Sequence, residues 1–88
     1  MHEFDPKEFN KILGGICHRY RKAKGLSHNQ LVEKIGVSSP YITNFESGNR
    51  GTSVAKLIEF CEDGLGVKPE VVVSEAVSVY RRQRAGTS

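Results

Sequence analysis

Hydrogen-bonding side chains are concentrated in a short stretch near the middle of the chain. Asparagine can pair with adenine through two hydrogen bonds, and serine and threonine hydroxyls donate to or accept from several bases. The stretch therefore offers the chemistry of base recognition, although the same side chains would suit the solvent side of an ordinary short helix. The residues that a helical spacing turns to one side are Ser39, Tyr41, Thr43, Asn44 and Ser47.

The residue types that catalysis and metal binding use are present, but their spacing fits neither. The histidines and cysteines lack the intervals of metal ligands, no nucleophile lies in a known motif, and no glycine-rich loop could cradle a phosphate. We therefore expect no enzymatic activity, no metal and no cofactor. Both cysteines fall within apolar helical patterns, which predicts buried free thiols and a reducing compartment. The residues concerned are His2, His18, His28, Cys17 and Cys61.

The composition is that of one small globular domain with a slight positive charge. The chain has 88 residues, of which 38% are hydrophobic and 26% charged, enough to build a single core. Its 13 basic and 10 acidic residues give a net charge of +3, which favours a polyanionic partner only weakly. No apolar run has the length of a membrane helix, and the first residues lack a signal-peptide pattern. We therefore expect a cytoplasmic protein without membrane contact.

Capping signals predict an all-α chain of five helices. A side chain that can cap a helix precedes each of the first four apolar helical patterns, and proline opens the fifth. Glycine follows the first four patterns and marks where each helix stops. The capping residues are Asp5, Ser27, Ser38 and Ser53, the fifth helix opens at Pro69, and the terminating glycines are Gly25, Gly36, Gly48 and Gly64.

The segment after Pro69 is open to two interpretations. Its run Val71–Val73 suits a strand, but the later apolar positions follow helical spacing and no partner strand is visible. We therefore predict a fifth helix over residues 69–82, followed by a disordered tail at 83–88. The single domain is expected to span residues 4–82.

The second and third predicted helices are short and are joined by a tight turn containing glycine. This is the helix-turn-helix pattern, here at residues 27–48, in which the second helix enters the DNA major groove. Over about residues 16–67 the chain resembles the phage repressor/Cro family, also called the Xre family. The resemblance implies a five-helix lambda-repressor-like DNA-binding domain. The matching residues are Gly25, Leu26, Ser27, Leu31, Ile35, Gly36, Val37, Ser38, Ile42, Glu46, Ser47, Gly48, Asn49, Arg50, Leu57, Leu65, Gly66 and Val67.

The resemblance also implies a function and a set of functional residues. The expected protein is a sequence-specific regulator of transcription that binds double-stranded DNA, in the first instance a repressor. Arg21 and Glu46 are expected to form a partly buried ion pair with a structural role. The resemblance places Ser39, Pro40, Thr43 and Asn44 at base edges and His28 at a phosphate. The position and chemistry of Asn49 and Arg50 predict phosphate contacts, and Tyr41 is expected at a phosphate or a base methyl group.

Three residues depart from the family pattern. His28 stands where glutamine is usual; histidine can still donate, and its protonation would make DNA binding fall as the pH rises. Val32 stands where a small alanine usually lets the second and third helices approach each other. Thr52 replaces a frequent proline, which leaves the following loop less rigid but able to cap.

One such domain reads only a few base pairs, so a homodimer on half-sites about 34–36 Å apart is expected. The apolar arc of the fifth helix is wider than one core contact needs, and part of it is predicted to form the dimer interface. Alternatively, this helix packs only on helices one and four. An antitoxin or co-regulator acting through a protein partner is the competing function. The predicted interface residues are Val72, Val73, Ala76, Val79 and Tyr80.

Overall fold

The computed structural model describes residues 3–86, which form five α-helices and no strand. The predicted all-α fold is therefore confirmed, and the valine run after Pro69 is helical. None of the described helices is both long and apolar enough to cross a membrane. The helices are α1 (Pro6–Ala23), α2 (His28–Ile35), α3 (Ser39–Ser47), α4 (Val54–Glu59), which continues into a π-helical segment (Phe60–Leu65), and α5 (Pro69–Gly86).

The predicted capping residues start the first four helices. The Asp5 carboxylate accepts hydrogen bonds from two backbone amides of the first turn, at 3.1 and 3.3 Å. Ser27 and Gln30 form a reciprocal capping box, with N···O distances of 3.1 and 2.8 Å. Ser38 and Ser53 each accept from the amide three residues later. Such caps satisfy amides that the helix itself leaves unpaired, and each contributes about 1 kcal/mol.

The fourth helix changes its winding in a way that the sequence did not predict. After Glu59 the chain widens into the π-helical segment, which ends at Gly66 in the left-handed conformation (φ 69°). The wider turn brings four of its six residues, Phe60, Cys61, Gly64 and Leu65, onto the buried side. Gly64 faces Leu31 of α2, and a β-carbon there would come within 3.0 Å of the leucine side chain. The widening therefore packs this segment closely against α2.

The fifth helix is longer than predicted. It continues to Gly86, so residues 83–86 are helical, and the predicted tail begins too early; residues 87–88 lie outside the described part of the chain. The helix runs antiparallel to α1, because Glu75 pairs with Arg19 near the end of α1 and Arg84 contacts Glu8 near its start (3.3 Å). The contact between Arg84 and Glu8 thus lies in the part of the helix beyond its apolar pattern.

The interface predicted on α5 is wrong for two of its five residues. Val72 and Ala76 are completely buried in the core of their own protomer, where α1 and the π-helical segment cover them. Tyr80 packs on two phenylalanine rings of the N-terminal region, and its hydroxyl accepts a hydrogen bond from the Asp5 amide (2.8 Å). Val73 packs partly against the core. Most of the wide apolar arc thus serves intramolecular packing.

The two cysteines are free and buried, as predicted. Cys17 lies on α1 and Cys61 in the π-helical segment, and neither is accessible to solvent. A hydrogen bond with Cys61 and burial both raise the pKa of the Cys17 thiol above its ordinary value. The pair behaves as part of the hydrophobic core.

Candidate nucleic-acid interface

The turn between α2 and α3 is closed by a left-handed glycine and a buried valine. Gly36 ends α2 at φ 70°, and its amide donates to the Val32 carbonyl at 2.8 Å. Val37, in the turn itself, points into the core. Leu31 of α2 and Ile42 of α3 are completely buried. The two helices are therefore held by shared core contacts in addition to the connecting turn.

The third helix has two chemically different sides. Its buried side carries Ile42, Phe45 and Glu46, of which the first two are almost inaccessible to solvent. Its open side carries the base-contact candidates: Pro40, Thr43 and Asn44 are exposed and Ser39 is half-buried. The structure thus brings the four candidates together on one outward-facing helix.

The first helix supports α3 through a close backbone crossing at Gly14. A β-carbon at this position would lie 2.1 Å from the Phe45 carbonyl oxygen and 2.9 Å from that of Glu46. Real carbon atoms do not approach backbone oxygens so closely, so only glycine fits here. At the neighbouring Gly15 a β-carbon would meet nothing within 4 Å. Of the two glycines within α1, one is therefore required by packing and the other is not.

An ion pair joins α1 to the end of α3, between the two residues for which the resemblance implies one. Glu46 accepts from Arg21 Nε at 2.7 Å and from its terminal nitrogen at 3.0 Å. Arg21 also donates to the Leu26 carbonyl at 2.7 Å, so its guanidinium ties three segments together. Both side chains are only about 6% exposed. Bidentate geometry of this kind suits a buried arginine and carboxylate.

Two histidines complete the environment of the Glu46 carboxylate. His18 Nδ1 lies 2.8 Å from Glu46 Oε1, and His28 Nε2 lies 3.4 Å from the same oxygen. Both imidazoles lie at an open groove of about 620 Å³ between α1, α2 and α3, which Thr43 also lines. His28 therefore faces both the internal carboxylate and a surface next to the exposed side of α3.

The electrostatics of this cluster favour the ionised carboxylate. Burial raises the pKa of Glu46, but hydrogen bonds from Arg21 and His18 and their positive charge outweigh burial and hold the pKa below its ordinary value of 4.5. Glu46 thus remains charged at neutral pH. Its charge is used to fix α1 against α3.

The loop after α3 folds back onto the helix. Gly48 takes the left-handed conformation (φ 81°), and the amides of Asn49 and Arg50 donate to the Asn44 carbonyl at 2.9 and 3.3 Å. A β-carbon at Gly48 would also collide with the Lys11 backbone at 2.6 Å. The side chains of Asn49 and Arg50 remain exposed, whereas their amides are used internally.

Tyr41 sits beneath this loop. The Arg50 guanidinium carbon lies 4.3 Å from the centre of the Tyr41 ring, within cation–π range. The Tyr41 hydroxyl is 2.8 Å from Thr52 Oγ1. The phosphate-contact candidates therefore form two groups. Tyr41, on the first turn of α3, lies with Asn49 and Arg50 of the returning loop, and His28 lies in the groove.

A family model described as a helix-turn-helix domain matches residues 12–76, most of the chain. The chain belongs to this helix-turn-helix family. It is a DNA-binding regulator of transcription, and the resemblance drawn from the sequence is confirmed.

Three similar proteins support the assignment of this chain to the helix-turn-helix regulators. It is 32% identical over 60 residues, 68% of this chain and 77% of the relative, to the uncharacterized HTH-type transcriptional regulator y4dJ of Sinorhizobium fredii (strain NBRC 101917 / NGR234). The clp gene regulator ClgR from Corynebacterium glutamicum has a similar structure, with a TM-score of 0.78 and 28% identity over 90% of this chain and 83% of that one. The restriction-modification controller protein C.AhdI from Aeromonas hydrophila gives a TM-score of 0.65 and 26% identity over 70% and 92%.

Two residues that contact the candidate interface residues were not predicted from the sequence. His18 contacts Glu46 from α1, and its position three residues before Arg21 was an available signal, because such residues share one side of a helix. Thr52 was noted as a substitution, but nothing in its local pattern pointed to Tyr41, eleven residues away.

Proposed function

We propose that this regulator recognises specific double-stranded DNA by inserting α3 into the major groove. The observation that carries the proposal is the open side of α3, where Thr43 and Asn44 are exposed while the opposite side is fixed by the core. Asn44 would pair with adenine, and Thr43 would contact a base edge or a thymine methyl. Ser39 and Pro40 would contact bases from the first turn, with proline offering only apolar contact.

Phosphate contacts would position the helix on the duplex. Arg50 and Asn49 have exposed side chains beside the end of α3, and His28 opens onto the groove at the start of α2. These groups suit phosphate oxygens, because a cation or an amide can donate to them regardless of base sequence. Affinity would then come mainly from phosphates and specificity from α3.

We further propose that the regulator binds as a homodimer and represses transcription. A single short helix reads too few base pairs for a specific operator, whereas two copies read half-sites about 34–36 Å apart. Repression then requires only that the bound dimer occupy the DNA. With Val72 and Ala76 buried, the interface would use exposed apolar side chains. The large ones among the described residues are Phe4, Val54, Ile58 and Val71, of which Val54 and Ile58, 75% and 40% exposed, lie one turn apart on α4 and would form a continuous patch.

Salt dependence of binding tests the DNA proposal. Once preferred sites have been selected from random duplexes, affinity should fall by about 10³-fold or more between about 50 and 200 mM salt if six or more phosphates are contacted. Arg50→Ala should weaken binding to all sequences similarly and reduce the salt slope by about 1. Arg82→Ala, which removes an exposed arginine on α5, is the matched control and should leave the slope unchanged. A flat salt response would favour the antitoxin or co-regulator alternative.

The dimer proposal is tested separately by sedimentation with and without the selected duplex. Wild-type protein should sediment as a dimer on the duplex, and Ile58→Lys should reduce it to a single bound domain. Val71→Lys on α5, 50% exposed in the wild type, is the control for adding a lysine at an exposed valine. Monomers at tens of micromolar, with one domain bound per operator, would contradict the dimer.

A further inference from the structure

We propose that Tyr41 is a positioning residue for Arg50 and that Thr52 holds Tyr41 in place. The inference deepens the proposed function and rests on it. It replaces the expectation that Tyr41 itself contacts a phosphate. Its basis is the contact of Arg50, in the loop after α3, with the Tyr41 ring on the first turn of α3, together with the hydrogen bond between Tyr41 and Thr52.

The position of the Tyr41 ring gives Arg50 a defined direction. An exposed arginine ordinarily samples many rotamers, and fixing them on binding costs free energy. Here the guanidinium lies over the ring at 4.3 Å. The backbone of Arg50 is held as well, because its amide donates a hydrogen bond to the Asn44 carbonyl. A guanidinium that meets a ring with its flat face keeps the N–H groups on its edge available as donors. These are the groups that would donate to a phosphate.

The hydrogen bond to Thr52 restrains the ring from the other side. Thr52 Oγ1 lies 2.8 Å from the Tyr41 hydroxyl and 3.4 Å from the Ser53 carbonyl. Since threonine has one hydroxyl proton, donation to that carbonyl leaves its oxygen to accept from Tyr41. The Tyr41 hydroxyl is thus engaged inside the protein. This side-chain bond joins the loop to α3.

The experiment compares Tyr41→Leu, which removes the ring, with Tyr41→Phe, which keeps the ring and removes the hydroxyl. On the selected duplex, Tyr41→Leu should weaken binding about two- to fivefold for all sequences, the size of an exposed cation–π contact, and lower the salt slope. Tyr41→Phe, which keeps the ring and loses only the bond to Thr52, should cause a smaller loss, within about twofold of wild type. In an Arg50→Ala background, Tyr41→Leu should cause no further loss, because the group it positions is absent.

A measurement on the free protein tests the contact between Tyr41 and Arg50 without DNA. In free protein, the side-chain N–H resonances of Arg50 should carry a ring-current shift that is retained in Tyr41→Phe and lost in Tyr41→Leu. Thermal unfolding of each variant shows whether α3 is still folded.

Three results would overturn the inference. Equal losses for Tyr41→Phe and Tyr41→Leu would mean that the hydroxyl, and not the ring, is responsible for the effect. Losses of Tyr41→Leu and Arg50→Ala that add would mean that the two residues act separately. An unshifted Arg50 resonance would mean that the stack does not form. If instead Arg50→Ala changes nothing and the salt response is flat, the DNA proposal itself fails, a result distinct from these three.

Discussion

The two sides of α3 differ in what their polar groups contact. On the inner side, the Glu46 carboxylate is met by an arginine and two histidines, and Phe45 packs at 5.1 Å on the ring of Phe60. On the outer side, Thr43 and Asn44 face solvent. The two sides of this nine-residue helix therefore have different roles. The inner residues fix the position of the helix, and the outer residues can vary without disturbing the core.

The largest expected effect comes from breaking the inner side at Glu46. Glu46→Ala leaves the buried Arg21 guanidinium without its carboxylate, and should lower the free energy of unfolding by about 3–5 kcal/mol. Urea denaturation at neutral pH measures this loss. Asn44→Ala, on the outer side of the same helix, is the matched control and should change stability by less than about 0.5 kcal/mol. Similar losses for both variants would contradict the separation of the two sides.

The next effect separates the two adjacent glycines of α1. Gly14→Ala places a methyl group against the Phe45 and Glu46 carbonyls, which are backbone atoms with little freedom to yield, and should cost about 1–3 kcal/mol or more. Gly15→Ala meets open space and should stabilise the protein by about 0.5–1 kcal/mol, the difference in helix propensity. Thermal or urea unfolding of both variants gives the comparison. Effects of the same sign would mean that α1 does not cross α3 as closely as described.

Breaking the outer side should change recognition and leave the fold intact. Asn44→Ala should cost about 1–3 kcal/mol of binding on the best site and relax the preference at one base position. Competition binding with duplexes substituted at single positions measures this change. Thr43→Ser, which keeps the hydroxyl and removes the methyl group, is a milder control. A uniform loss across all sequences would indicate a phosphate contact for Asn44 instead of a base contact.

The features that sequence predicted well are those determined over a few residues. The serine caps, the Ser27–Gln30 box and the glycine stop at Gly36 each depend on neighbours within four positions. The helix-turn-helix follows from them, because two capped short helices with a left-handed glycine between them allow few arrangements. The pairing of Arg21 with Glu46 is not local, since 25 residues separate them, and it was therefore predicted only from a resemblance to a family.

The features that could not be predicted from the sequence depend on which helices pack against each other. The apolar arc of α5 was correctly read as wide, but its width does not say how many neighbours it meets. In the structure α1 and the π-helical segment together bury Val72 and Ala76. The close fit of Gly64 against Leu31 is likewise a contact between residues far apart in the sequence. The bond between Tyr41 and Thr52 forms only because the loop after Gly48 returns to α3.

The smallest expected effect is a change with pH in the stability that Glu46 contributes. The pKa of Glu46 is lowered in the folded protein, so its contribution to stability is present above about pH 4.5 and is lost as the pH falls through the lower folded value. Among the described residues, the side chains that meet this carboxylate are the Arg21 guanidinium and the imidazoles of His18 and His28. Urea denaturation of wild type and Glu46→Gln at about pH 7, 5, 4 and 3 should show a difference in stability that shrinks at acid pH. A difference that stays constant would mean that the carboxylate contributes by its shape and hydrogen bonding, and its charge would then not be what holds α1 to α3.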